Sequence, residues 1–244
     1  MSDMKNSHWR SVGQHILFLL FPPKCIGCGE VLPLRRGMSE AFCPLCHTKW
    51  EASRLSASEK ILEWPSPVCG LVSIVKYQSG NTAGTAERLI FHMKHRDEKR
   101  VFDFSAREMA CLLRESDLLQ GRSNHEILVT YPPRRAKAIR KDGFDQAWRL
   151  AKSLSHQAGY PCAKLLERVG PDREQKRLNV TRRWENAHEA YALKTKHPSF
   201  AGKTVILVDD LYTTGATLKA CGELLVAAGA DCVILATVGR TVAR

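Results

Sequence analysis

The sequence predicts an α/β protein: a doubly wound, mostly parallel sheet carrying a small N-terminal zinc-binding module. Three observations predict it. From residue 68 onward, near-continuous apolar runs of strand length alternate with segments of helical periodicity, the pattern of a parallel sheet covered on both faces. One of those runs leads into two adjacent carboxylates and a turn rich in threonine and glycine, "VILVDDLYTTGATL", residues 205–218. Ahead of the first run stand four cysteines arranged as two C-x2-C pairs.

Composition sets the bounds. Apolar residues make up 44% of the 244, and no repeat or low-complexity tract occurs, so the chain is globular and not disordered. The 37 Lys and Arg against 25 Asp and Glu leave a net charge of +12, which directs the expected partner towards an anion: nucleic acid, a phosphorylated metabolite or an anionic membrane surface. The apolar run "ILFLLF" at 16–21 ends on Pro22 and Pro23. It falls short of the ~7–15 residues of a signal-peptide core and of the ~20 a transmembrane helix needs. It reads instead as part of a short amphipathic helix with Trp9, Val12, Ile16, Leu19 and Leu20 on one face, and no transmembrane segment is expected.

Within residues 1–50, Cys25, Cys28, Cys43 and Cys46 form C-x2-C, a gap of fourteen residues, and C-x2-C. Each pair turns two thiolates inward, and two facing turns supply the tetrahedral sulfur set zinc prefers. Four protein ligands leave no position for a substrate water, so a structural zinc in a ribbon-like module is expected, with the metal supplying folding energy. A redox dithiol and an iron–sulfur cluster are the alternatives. The other cysteines, Cys69, Cys111, Cys162, Cys221 and Cys232, are scattered through apolar segments; the odd total of nine argues against a disulfide framework and for a reducing cytoplasm.

Residues 51–67 turn polar and carry Pro65 and Pro67, the signature of a linker with one short helix around 57–62. The larger domain, 68–244, then reads in order as strand 69–77, helices 86–94 and 101–114, strand 126–131, helix 144–156, short strand 162–169, strand 204–210, helix 215–228 and strand 232–239. In such a fold ligands bind beyond the carboxyl ends of the strands. Strand 204–208 delivers Asp209 and Asp210 to that edge. The following helix offers free N–H groups at its first turn, and Thr213, Thr214, Gly215, Ala216 and Thr217 suit a phosphate dianion there. Two carboxylates beside a phosphate make physical sense only if they face sugar hydroxyls or a Mg2+ ion. A ribosyl phosphate satisfies both halves of the loop.

With those residues in view, the loop resembles the phosphoribosyl pyrophosphate (PRPP) signature of the type I phosphoribosyltransferases. The resemblance implies that Asp209 and Asp210 face the ribose, with magnesium accompanying PRPP, and that residues 213–217 hold the 5-phosphate. The four-cysteine knuckle after "LLFPPKC", then "YPPRRAKAIRKDGFDQAWRLA" at 131–151, then "REQKRLNVTRRWENAHEAY" at 173–191, in this order before the loop, resemble the ComF family of competence and DNA-utilisation proteins. That family's pattern falls here on Gln175, Leu178, Arg183, Asn186 and Tyr191; a departure is that its basic Arg-Gly-Phe-Asn-Gln reads here Asp142, Gly143, Phe144, Asp145, Gln146. The resemblance implies a cytoplasmic protein that handles internalised single-stranded DNA during natural transformation, alongside a DNA-uptake machinery. The basic segment with Arg134, Arg135 and Lys137, and the segment with Arg173 and Arg183, are candidates for pyrophosphate or a DNA backbone.

Two readings follow. In one, a ribosyl-phosphate site serves a DNA-handling module in which Trp50, Trp148 or Trp184 stack bases. In the other, an active enzyme transfers ribose 5-phosphate from PRPP to a nitrogenous acceptor. No acceptor-base pocket is legible in the sequence. His92 and His95, neighbours on one helix face without a carboxylate or cysteine motif nearby, read as surface histidines.

Overall fold

The computed structural model describes residues 22–33, 40–63, 68–78, 80, 84–169 and 189–241. The N-terminal amphipathic face with Trp9, and the segment holding Arg173, Gln175, Leu178, Arg183, Trp184 and Asn186, lie outside the described residues.

In chain order the described elements are α1 (Pro44–Ala52), α2 (Ala57–Lys60), β1 (Ile61–Glu63), β2 (Gly70–Tyr77), α3 (Thr85–His95), α4 (Lys99–Glu115), β3 (Ile127–Thr130), α5 (Ala136–Asp142), α6 (Gln146–Ala158), β4 (Leu166–Arg168), β5 (Tyr191–Leu193), β6 (Thr204–Tyr212), α7 (Ala216–Ala227) and β7 (Cys232–Thr241). Five strands form one sheet in the order β1-β2-β7-β6-β3. All its pairings are parallel except that of edge strand β1 with β2. The run at 162–169 departs from expectation: its strand, β4, pairs antiparallel with β5 in a separate two-stranded sheet. Only Cys162 touches the main sheet, through a single bridge to Val129.

Continuous apolar strands bury both faces, and period 2 divides each strand between two cores. On one face Ile206 and Val208 of β6 and Ile234 and Ala236 of β7 pack with Leu89, Met93, Phe102, Met109, Leu150 and Leu154 from α3, α4 and α6. On the other face Val205, Leu207, Val233 and Leu235 pack with Leu218, Cys221 and Leu225 of α7 and with Tyr191 of β5.

The expected linker is partly woven into this frame. Ile61 and Leu62 pair with Val72 and Leu71 across the sheet edge, Leu55 is buried, and the Arg54 guanidinium lies 2.7 Å from Glu108 of α4. The cysteine module joins the first core directly. Phe42 stacks on Trp50 with ring centroids 5.7 Å apart, and Phe104 of α4 meets both edge-on, at 5.4 and 5.5 Å. Arg100 of α4 donates to the carbonyls of Lys24 (2.6 Å) and Glu40 (3.2 Å), and Arg88 of α3 to that of Gly27. Trp50 is therefore core, 0% exposed, and is unavailable for stacking bases. Cys69 and Cys232, expected as free thiols, are joined side by side where β2 and β7 begin, with Cα atoms 5.7 Å apart. The remaining described cysteines are free. Among the described residues no helix is long and apolar enough to cross a membrane.

Candidate functional site

Strand β6 runs to Tyr212, past the predicted end at Val208, because β7 continues to pair with it as far as Tyr212↔Arg240. On its other side β3 stops at Thr130↔Leu207. Beyond Leu207 β6 thus has one paired and one open edge, and that opening is where Asp209 and Asp210 stand. As consecutive strand residues they address opposite faces. Asp209 lies on the α7 face, level with Thr237 and, one strand further, Ser73, whose hydroxyl is 2.8 Å from that of Thr237. Asp210 lies on the α3 face, where Lys94 Nζ is 3.8 Å from its Oδ2.

The two carboxylates are unequally provided for. Asp209 Oδ1 accepts the Asp210 N–H at 2.8 Å, while Asp210, 5% exposed, has an Oδ2 without a hydrogen-bond partner. Asp209 keeps partial exposure. Burial, reinforced by the charge of Asp210, pushes its carboxyl up to about 8, against the pull of Lys94. Near neutral pH the pair therefore carries close to one negative charge, which lessens repulsion of a neighbouring phosphate.

The turn behind them is built for close backbone approach. Gly215 has φ +72°, a left-handed conformation glycine adopts without strain, and the Tyr212 ring fills the space a Cβ would need. Thr213 is exposed, Thr214 Oγ1 accepts the Ala216 N–H at 3.5 Å, and α7 starts at Ala216, so its first-turn N–H groups face the open edge. Thr217, in that first turn, hydrogen-bonds the Tyr191 phenol, which burial raises to about 12. Arg168 of β4 donates to the same phenol oxygen at 2.7 Å and lies 5.0 Å over its ring. Lys94 and Arg168 are the cations sequence reasoning missed. Lys94 is one polar residue in an amphipathic helix, and Arg168 reaches the loop only through the β4–β5 pairing, which leaves no mark in the pattern.

The basic segment after β3 divides. Arg134 is held by Asp142 (2.9 Å) and the Phe144 carbonyl (3.3 Å), whereas Lys137, Arg140 and Lys141 are exposed on α5. The two acids that depart from the family pattern have structural work: Asp142 pairs Arg134, and Asp145 caps α6 by accepting the N–H groups of Ala147 and Trp148. Trp148 is half-buried with Arg149 and Lys152 about its ring, at 5.0 and 5.1 Å.

At the module, the Sγ atoms of Cys25, Cys28, Cys43 and Cys46 all lie within 4.8 Å of one another. Cys28 and Cys43 are 3.8 Å apart, the edge of a sulfur tetrahedron around an ion with ~2.3 Å bonds. Burial raises the Cys25 thiol, but N–H donors from Cys43, Cys28 and Gly27 outweigh it and bring the thiol down to about 7. Gly27 has to be glycine, since a Cβ would sit 2.7 Å from Cys46 Sγ. The four cysteines fit a structural metal such as zinc. Asp209 and Asp210, on opposite faces, make no comparable cluster; among the described residues the cysteines alone group three or more metal donors.

This architecture defines the class. Residues 145–241 match the phosphoribosyl transferase domain family, and the mostly parallel sheet with helices on both faces is the type I phosphoribosyltransferase fold. Solved structures that align with the chain include a hypoxanthine phosphoribosyltransferase from Staphylococcus aureus (14% identity, 61% of this chain and 69% of that one, TM-score 0.34). Another is the adenine phosphoribosyltransferase of Thermoanaerobacter pseudethanolicus (16% identity, 60% and 83%, TM-score 0.34). Among curated proteins the chain is similar to Competence protein ComFC of Bacillus subtilis, 32% identical over 105 residues, 43% of this chain and 40% of that protein. It is also similar to Competence protein F of Haemophilus influenzae, 33% identical over 84 residues, 34% of this chain and 37% of that protein. Together these matches support a ComF-family protein of the type I phosphoribosyltransferase-like kind. The matches span about two fifths of the length of each curated relative.

Proposed function

We propose that the chain binds a ribosyl phosphate, PRPP or a relative of it, at the β6–α7 loop and serves the handling of internalised single-stranded DNA. The observation that carries the first half is the unpartnered Oδ2 of Asp210, 95% enclosed yet facing an open sheet edge beside a glycine turn and a helix N-terminus. A buried carboxylate oxygen without a donor costs free energy that a sugar hydroxyl would recover. The dianion would sit on the first turn of α7 with the hydroxyls of Thr213 and Thr214. Magnesium, when bound with PRPP, would neutralise the pyrophosphate oxygens.

The DNA half rests on the competence relatives, on the net charge of +12 and on the exposed cations Lys137, Arg140 and Lys141 beside the same edge. Arg173 and Arg183 join this proposal from sequence alone. If base transfer also occurs, the aspartates would steady a ribose that gains positive character as pyrophosphate leaves.

Two titrations test the proposal. PRPP added with and without Mg2+ should give saturable heat that Asp209→Asn with Asp210→Asn removes. A fluorescent oligothymidine should bind with a steep inverse dependence on salt, flattened when Lys137, Arg140 and Lys141 become Gln. Absence of heat with PRPP defeats the first half, and salt-independent or undetectable strand binding the second.

A further inference from the structure

Beyond the carboxyl end of β2 lies a cavity of about 660 Å³ bounded by Ile26 of the cysteine module, Tyr77 of β2, and Arg88, Phe91, Lys94 and His95 of α3. Its size falls within the ~300–1,000 Å³ usual for small-ligand sites. Helix α3 spends its apolar periodicity on Ala86, Leu89, Ile90 and Met93, all buried. Phe91 falls outside that stripe and stays 55% exposed, a large aromatic that the core does not use. His95, one turn on, lies against it with ring centroids 4.7 Å apart, so the two rings form an open aromatic platform in the cavity wall. The polar rim is mainly cationic: the acid Glu87 is already taken by the Gln78 N–H at 2.8 Å, and Arg88 reaches to the Gly27 carbonyl.

The position of the cavity says what the platform is for. Lys94 lines it, and Lys94 Nζ is also the cation 3.8 Å from Asp210 Oδ2. Tyr77 pairs in register with Thr241, whose hydroxyl donates to the Tyr212 and Thr213 carbonyls of the phosphate turn. The cavity and the β6–α7 loop are thus adjoining compartments of one sheet edge. A flat ring with polar edges, next to a site suited to a pentose phosphate, under a cationic rim, is the chemistry of a nucleobase.

We propose that this cavity is a nucleobase site in which the ring stacks on Phe91 and His95 and Lys94 faces both compartments. The proposal deepens the ribosyl-phosphate reading by supplying the base site the sequence does not reveal, and it rests on that reading for its neighbour. The base has two sources, a free base or nucleoside and a base within a single strand, so the experiment carries both.

Wild-type protein, Phe91→Ala and His95→Ala are titrated in parallel with adenine, with a ten-residue oligothymidine and with ribose 5-phosphate. Truncating a stacking aromatic is expected to weaken base binding roughly 5- to 150-fold. Adenine binding weakened in both variants supports the site for a free base, and weakening confined to the oligonucleotide supports a base within a strand. Equal affinities in all three proteins overturn the proposal, as does failure of the wild type to bind either probe. Ribose 5-phosphate bound by a wild type that ignores both base probes removes the cavity proposal alone; no ribose 5-phosphate binding, with base binding present, removes the loop reading and leaves the cavity.

Discussion

At the cysteine knuckle, the Cys25 thiol takes N–H groups from Gly27 (3.3 Å) and Cys43 (3.2 Å), the Lys24 and Glu40 carbonyls are taken by Arg100, and the aromatic side is sealed by Phe104. At the end of β6, Asp210 Oδ2 has no such donor, and Asp209 is held in a protonation state burial imposes. The two regions teach how to tell polarity that finishes a fold from polarity that awaits a ligand. In the first, neighbouring backbone and side chains answer the polar groups, leaving only the interior of the sulfur tetrahedron. In the second, the unanswered group faces an opening.

The comparison breaks most visibly if the metal is removed. Chelation of the reduced protein should unfold the knuckle and, because Phe42 and Trp50 share the core of α4, lower the melting temperature of the whole chain; a melt unchanged by chelator would mean the sulfurs hold nothing structural. Trp50→Ala comes next, at about 3–5 kcal/mol, the usual cost of emptying a large aromatic site. Denaturant unfolding should remain a single transition for the wild type and split or shift strongly for this variant.

A smaller effect falls on Glu98, which ties His92 (3.0 Å) and Arg100 (2.9 Å) together under the knuckle. The bond to His92, with help from Arg100 and against burial, holds its carboxyl down at about 2, below the ordinary 4.5. A depressed folded-state value contributes stability above the ordinary range and loses it as pH falls through the folded one. Glu98→Gln should therefore cost about 1–3 kcal/mol at neutral pH, with the gap to wild type closing as pH drops from about 4.5 towards 2. Urea unfolding at several pH values reads it directly.

The site itself predicts the opposite sign. Asp209, raised to about 8 from 3.8, makes the folded state bind more protons than the unfolded one across that window, so its stability contribution declines as pH rises. Asp209→Asn should melt a few degrees above wild type at pH 8 and lose that advantage towards pH 4, since for a chain of this size ~1 kcal/mol is roughly 2–4 °C. A variant less stable than wild type at pH 8 would show that Asp209 belongs to the fold.

Legibility in the sequence follows the same division. The parallel sheet could be read because β2, β6 and β7 are continuous apolar runs bounded by helices of clear period, and the cysteines because ligand spacing is local. The loop at 209–217 was legible for the same reason: its chemistry is contiguous. What escaped depends on distant pairing. The segment at 61–63 is too short to announce a strand until β2 lies beside it, and β4 reads like any sheet strand until β5 claims it. Lys94 meets Asp210 across 116 positions of chain, and no periodicity encodes that meeting.

Calorimetric titration with ribose 5-phosphate and, separately, with inorganic phosphate tests most directly whether a diol and a dianion are gripped side by side. The account predicts tighter binding of the sugar phosphate by at least ~10-fold, about 1.4 kcal/mol, and loss of that preference in Asp209→Asn with Asp210→Asn while inorganic phosphate still binds. Equal affinity for the two ligands in the wild-type protein would contradict it.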